Sequence, residues 1–205
     1  MIARTKEGVR LYNHQYRPYR FQDILGQSAT VKDLQKRLSD DNVPNVMMFL
    51  GKSGTGKTTS ANVIASALNC HAPKRENGYI EPCGGCPACL DIKNAKYRRD
   101  VAFYDGSELS KETIDGLWDE LLYDPMYDGN KIIIVDEAQN ITKAGLEKTL
   151  KLLEYEKENA YIIMCSMNPG AFNDAIRARG QVYQFHEVDS KTVGEALLNI
   201  LDEED

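Results

Sequence analysis

The chain has 205 residues, 42% of them hydrophobic, which suits one α/β domain with a sizeable core and room for a small attachment. Its net charge of −6 is unevenly placed: residues 1–100 hold 16 Lys and Arg against 9 Asp and Glu, and residues 101–205 hold 9 against 22, a pattern that fits two different contact surfaces or ordinary surface solvation. No run approaches membrane-spanning length and Met1-Ile2-Ala3-Arg4-Thr5-Lys6-Glu7 has no apolar core, so an exported or membrane-embedded protein is not expected; the prediction is a cytoplasmic one whose five cysteines are reduced or metal-bound.

Residues 1–28 read as a polar and aromatic N-terminal arm carrying Tyr12, Tyr16, Arg17, Pro18, Tyr19 and Arg20, then Phe21-Gln22-Asp23-Ile24-Leu25-Gly26-Gln27. A helix is predicted over 29–38, with Val31, Leu34 and Leu38 on one face. After the loop at 40–45, the apolar run 46–50 predicts a strand. It leads into Gly51-Lys52-Ser53-Gly54-Thr55-Gly56-Lys57-Thr58, the G-x-x-x-x-G-K-[ST] phosphate-binding pattern, and a helix-like stretch over 58–68 follows. In that context backbone N–H groups turn inward around a phosphate, and the helix N-terminus adds partial positive charge. The expected nucleotide contacts are Gly51, Ser53, Gly54, Thr55, Gly56, Lys57, Thr58 and Thr59, with Lys57 reaching the β- and γ-phosphates and the Thr58 hydroxyl holding Mg²⁺. A glycine-rich turn that binds nothing is the alternative, but every motif position is filled.

Residues 71–82 read as loop, and Cys83-Gly84-Gly85-Cys86-Pro87-Ala88-Cys89 follows. With Cys70 the spacing is C-x₁₂-C-x₂-C-x₂-C, which fits a tetrahedral, structural zinc site; a redox C-x-x-C pair or free thiols are the alternatives. Such a module is expected to be a knob away from the nucleotide, so that metal loss costs stability more directly than nucleotide affinity. Cys165 is left over in an apolar run and reads as an inert core residue.

Strands are predicted at 101–104, 131–135, 161–166 and 182–185, and helices at 110–122 with Ser110 as N-cap, at 143–153 with Leu146, Leu150 and Leu153 on one face, and at 190–202. The tail 202–205 reads as frayed. The run 131–135 ends in Asp136-Glu137, a Walker B pattern in which Asp136 holds Mg²⁺ through water and Glu137 polarises the attacking water, or is simply a solvated carboxylate at a strand end. Strands alternating with helices imply a parallel sheet covered on both faces.

Tyr16-Arg17-Pro18, the segment 21–27, the P-loop, Leu68-Asn69-Cys70, the cysteine cluster, Asp136-Glu137, Leu150-Lys151-Leu152-Leu153-Glu154 and Gln184-Phe185-His186 together resemble the gamma/tau subunits of bacterial DNA polymerase III, which are AAA+ clamp-loader ATPases. The resemblance runs from about Tyr12 to Val188 and implies a three-layer AAA+ sandwich with a five-stranded parallel sheet over 29–190, the zinc module at about 70–89 and a terminal helix over 191–205. It implies ATP, Mg²⁺ and Zn²⁺ as cofactors. The implied function is ATP-driven opening of a sliding clamp and its loading on primed DNA, in an assembly with other clamp-loader subunits. Arg17 and Pro18 match the segment near the adenine, and Arg179 matches an arginine finger that reaches a neighbouring subunit's ATP.

The sequence also departs from that family. The finger triplet is Ala178-Arg179-Gly180 instead of Ser-Arg-Cys, Met167 stands at the sensor-1 position between Ser166 and Asn168, and Lys111 stands among Glu108, Glu112 and Asp115 where the family faces DNA. The lid and collar domains are absent, as in a minimal protein or a fragment. Two further readings compete with the loader ATPase. One is a non-catalytic ATP-binding scaffold that docks on replication proteins, and the other is a nucleoside phosphotransferase, for which no acceptor pocket is apparent.

Overall fold

The computed structural model describes residues 2–5, 8–11, 16–97, 100–125, 129–154 and 157–204, with backbone alone for 2–5 and 8–11. Tyr12 of the expected arm and Asp205 of the tail lie outside these residues. The strands are β1 (Ile2–Thr5), β2 (Gly8–Leu11), β3 (Val46–Leu50), β4 (Lys74–Glu76), β5 (Tyr79–Glu81), β6 (Val101–Asp105), β7 (Lys131–Asp136), β8 (Ala160–Ser166) and β9 (Gln181–Gln184). The helices are α1 (Ser28–Ser39), α2 (Lys57–Leu68), α3 (Pro87–Lys93), α4 (Lys111–Leu122), α5 (Lys143–Leu153), α6 (Asp174–Arg177) and α7 (Ser190–Glu204). Ser110 caps α4 as expected, its hydroxyl accepting from the Thr113 N–H at 3.2 Å.

The central sheet runs in the order β6-β7-β8-β3-β9, and every pairing in it is parallel. Strand alternation divides the core into two layers. Met47 and Phe49 of β3, Ile132 and Ile134 of β7, and Ile163 and Cys165 of β8 pack with Val31, Leu34 and Leu38 of α1 and Ile64 of α2. Val46, Met48 and Leu50, with Ile133, Val135, Ile162 and Met164, face Leu117 and Leu121 of α4 and Leu152 and Leu153 of α5. Each such side chain removed from water contributes about 1.5–3 kcal/mol. A sheet buried on both faces explains why its strands read as continuous apolar runs.

Several elements were not expected, the short helix α6 among them. Residues 71–82 contain the hairpin β4–β5, turned at Asn77-Gly78 with φ of +53° and +84°. Asn-Gly is the signature of a two-residue turn of this kind, but Lys74-Arg75-Glu76 carries no apolar alternation to mark a strand. Cys86 precedes α3, which starts on Pro87, a residue whose fixed φ suits a first helical turn. Residues 2–5 and 8–11 pair as the antiparallel strands β1 and β2. The terminal helix also continues to Glu204 rather than fraying at 202. Among the described residues no helix is long and apolar enough to cross a membrane.

Candidate nucleotide site and four-cysteine cluster

The candidate phosphate loop joins β3 to α2 at the C-terminal edge of the sheet, with Gly54 and Gly56 at φ +76° and +93°. That left-handed backbone suits glycine and turns successive N–H groups toward one concavity. The Gly51 N–H donates to the Ser166 carbonyl at 3.2 Å, so the loop is anchored to β8. The Lys57 side chain is only 6% exposed, and its ammonium donates at 2.8 Å to the carbonyls of Gly51 and Lys52. The loop therefore holds its cation against its own backbone, at the mouth of α2. Thr58 Oγ1 donates to Asp136 Oδ2 at 2.8 Å, which brings the hydroxyl and the carboxylate expected to share Mg²⁺ into direct contact.

Glu137 follows Asp136 at φ +48°, and its N–H donates to Asp136 Oδ1 at 3.0 Å. Gln139 donates to Glu137 Oε2 and accepts with its own Oε1 from Ser166 Oγ at 2.8 Å and from the Met167 N–H at 3.1 Å. Gln139 thus links the two strand ends, a role that nothing in its sequence position signals. Met167 is 41% exposed and meets the network only through its backbone. The flanking Asn168 side chain caps the turn at Gly170 at 2.8 Å. Gln27, which the sequence marks only as part of segment 21–27, is 3% exposed and clamps the loop. Its Nε2 donates to the Thr55 and His186 carbonyls at 3.2 and 2.6 Å, and its Oε1 accepts from the His186 N–H at 3.1 Å.

Ser53, Gly54, Thr55, Gly56 and Thr59 line an open groove of about 370 Å³ together with Glu187 and an apolar wall of Pro18, Ile24, Leu25, Val188 and Val193. Loop backbone and apolar side chains in one groove suit a phosphate chain with a flat base attached. Pro18 lines the groove. Arg17 is not among its lining residues; it lies with Pro18 in a neighbouring cavity bounded by Tyr19, Asn62, Ser66 and Lys93.

Cys70, Cys83, Cys86 and Cys89 converge, with all four sulfurs within 4.8 Å of one another and none in a disulfide. A tetrahedral ion at about 2.3 Å from each sulfur would need them about 3.8 Å apart, so the donor set fits one ion with small adjustments. The Gly85 and Cys86 N–H groups hold the Cys83 thiol down to about 6, whereas burial pushes Cys70 and Cys89 up. Cys165 lies wholly within the core, and burial pushes its thiol well up.

Arg179 lies between α6 and β9. Its guanidinium pairs with Glu154 and donates at 2.5 Å to the Ala175 carbonyl. Arg177, two residues earlier, is tied to loop carbonyls, donating through Nε to Phe172 at 2.8 Å and through Nη2 to Pro169. Arg179 sits before the N-terminal end of β9, whereas the phosphate loop lies beside that strand's C-terminal end, where the Phe185 N–H donates to the Leu50 carbonyl at 2.7 Å. Four strand residues, about 13 Å, separate the two ends.

A family model described as DNA polymerase III, delta subunit matches residues 26–189. The chain is 30% identical over 190 residues to the DNA polymerase III subunit tau of Bacillus subtilis, covering 92% of this chain and 33% of that protein. It is 31% identical over 191 residues to the gamma/tau subunit of Mycobacterium tuberculosis, covering 92% and 32%. It therefore spans about a third of the length of these relatives. The Holliday junction branch-migration motor RuvB of Thermotoga maritima superposes with a TM-score of 0.60 at 16% identity, over 88% of this chain and 52% of that one, so the two share a fold. The chain belongs to the DNA polymerase III delta-subunit family and matches the N-terminal domain of the gamma and tau subunits.

Proposed function

We propose that this chain is an ATP-binding and hydrolysing subunit of a clamp-loader-like replication assembly. The observation that carries this reading is the Thr58–Asp136 contact of 2.8 Å at the mouth of the phosphate loop, with Glu137 next in the chain. In this reading the loop N–H groups and Lys57 bind the phosphates, and Lys57 exchanges its two carbonyl partners for phosphate oxygens. Pro18 and the apolar wall receive the base. Thr58 and Asp136 would hold Mg²⁺, which supplies charge neutralisation on the β- and γ-phosphates. Glu137 orients the attacking water and accepts its proton, and Gln139 fixes the carboxylate for that task. Arg179 acts on a neighbour's nucleotide after leaving Glu154. Cys70, Cys83, Cys86 and Cys89 would hold one structural zinc ion.

The partners in this proposal are other loader subunits, a sliding clamp and primed DNA, in the cytoplasm. Helix α4 presents exposed Glu112, Asp115 and Asp119, so DNA is reached through the assembly and not through that face. A second reading, an ATP-binding scaffold with little turnover, is favoured by Met167 at the sensor-1 position.

Equilibrium binding of Mg·ATP and steady-state hydrolysis by the wild type and Glu137→Gln separate the two readings. The ATPase reading expects the variant to keep ATP affinity and to lose turnover by about 10²–10⁴-fold. A variant with unchanged turnover would sink it.

A further inference from the structure

We propose that the four-cysteine insertion is the strut that holds the nucleotide-side segment 17–23 in place, with Glu81 as the positioning residue through which it acts. The inference rests on the ATP-binding reading of the groove and deepens it. Segment 17–23 has no strand partner; its only regular structure is a 3₁₀ turn at Phe21–Asp23. Its position is set by side chains, and those side chains meet the insertion. Glu81, 2% exposed, accepts from the Phe21 N–H at 2.9 Å through Oε2 and from Gln35 Nε2 of α1 at 2.6 Å through Oε1. Phe21 itself is wholly buried. Arg20 approaches Glu76 of β4 at 3.7 Å. The Tyr19 ring lies against Gly84, between Cys83 and Cys86, so closely that a Cβ there would come within 2.5 Å of Cε2. Lys93 Nζ of α3 stands 4.5 Å from the centroid of the same ring.

Pro18 lines the groove with Thr59, and the next residue, Tyr19, touches the insertion. The chain thus crosses from nucleotide wall to cysteine module within two residues. The module is consequently not the separate knob that its spacing suggested. Its far end also leans on the helix that opens at Lys57, where Cys89 Sγ lies 3.9 Å from the Ser66 carbonyl. With the four sulfurs gathered, Gly84 and Glu81 are fixed and the apolar wall is ordered before the nucleotide arrives. When the strut is loosened, only part of the population presents that wall, and apparent affinity falls by that fraction. Buried Glu81 suits the task, because a buried acceptor whose donors are fixed admits no second geometry without leaving a polar group unpaired.

The experiment uses the full chain with its metal and measures three quantities: equilibrium binding of a fluorescent ATP analogue with Mg²⁺, bound zinc, and amide hydrogen exchange over 19–23. In Glu81→Met the Phe21 N–H and Gln35 Nε2 both lose their acceptor. The expected result is about tenfold weaker binding and faster exchange at 19–23 with zinc retained. Glu81→Gln should stay near the wild type, because its oxygen accepts from Phe21 and its NH₂ donates to the Gln35 amide once that amide turns over. Tyr19→Ala tests the same joint should Glu81→Met fail to fold, with the same expectation. Lys57→Ala should abolish binding. A wild type that binds no nucleotide overturns the ATPase reading and this inference with it. A wild type that binds, with Glu81→Met or Tyr19→Ala within twofold of it and exchange unchanged, overturns this inference alone.

Discussion

Glu137 occupies a left-handed backbone conformation, φ +48°, that costs a non-glycine residue about 1–3 kcal/mol. The surrounding contacts over-determine it: its N–H is held by Asp136 and its carboxylate by Gln139. Strain maintained in this way holds the carboxylate against Gln139 at the end of β7. Gln139→Ala removes the link to Ser166 and Met167 and frees the carboxylate. Hydrolysis is expected to fall by about 10–100-fold with ATP affinity kept, as for other losses of positioning near a reacting centre. Paired measurements of kcat and nucleotide Kd check this, and a fall in affinity without a fall in kcat would contradict it. Lys57→Ala should instead remove binding, since the ammonium is the buried cation of the loop.

The cysteine insertion is the element whose stability depends most on something other than apolar burial. Between Cys70 and Lys93 the buried hydrophobic residues are Cys89 and Ile92 among those described. So small a core cannot offset the ordering of a two-turn helix and a three-residue hairpin. Stripping the metal with a chelator is expected to unfold the insertion, and the loss of even 2–3 kcal/mol would lower Tm by about 4–12 °C in a domain of this size. Metal analysis should find one zinc ion per chain, and Cys86→Ser should reduce it with the same fall in Tm. An unchanged melting curve after complete metal removal would refute the role. The sequence pattern located the ligands here because four sulfurs at fixed short spacings need few conformational choices to meet. It did not show the hairpin, whose polar strand residues carry no periodicity, or the contact with segment 17–23, which depends on a fold that places residues 60 apart within 2.9 Å.

For the whole molecule, the question is which surface meets a neighbour. The polarity of the parallel sheet sets Arg179 at the edge opposite its own phosphate loop, so a cis role would require crossing about 13 Å of strand. Its pairing with Glu154 is exposed, and such pairs contribute about 0–1 kcal/mol, little enough for a neighbouring nucleotide to displace. Gly180 fits this edge for a packing reason: a Cβ there would come within 2.7 Å of the Val46 carbonyl. Arg179→Ala is expected to keep ATP affinity and to lose assembly-stimulated hydrolysis, where fingers contribute about 10³–10⁵ in rate. Mixing Arg179→Ala with Lys57→Ala chains should restore part of that activity, because some interfaces then pair an intact loop with an intact finger. A mixture shown to co-assemble but without recovery would exclude a finger acting between copies of this chain.

The sequence by itself determined the five core strands, the phosphate loop, the Asp136–Glu137 pair and the four cysteines. These are features whose cause is local: an apolar run long enough for one buried strand, or ligands close together along the chain. Tertiary structure alone decided that Gln27 clamps the loop from across the sheet edge, that Gln139 joins two strand ends, that Arg17 misses the groove Pro18 enters, and that the cysteine module rests on the nucleotide-side segment. Each of these is a polar or packing contact between residues far apart in sequence. The chain order sets no distance between such residues, and only the packing of the layers brings them within hydrogen-bond reach.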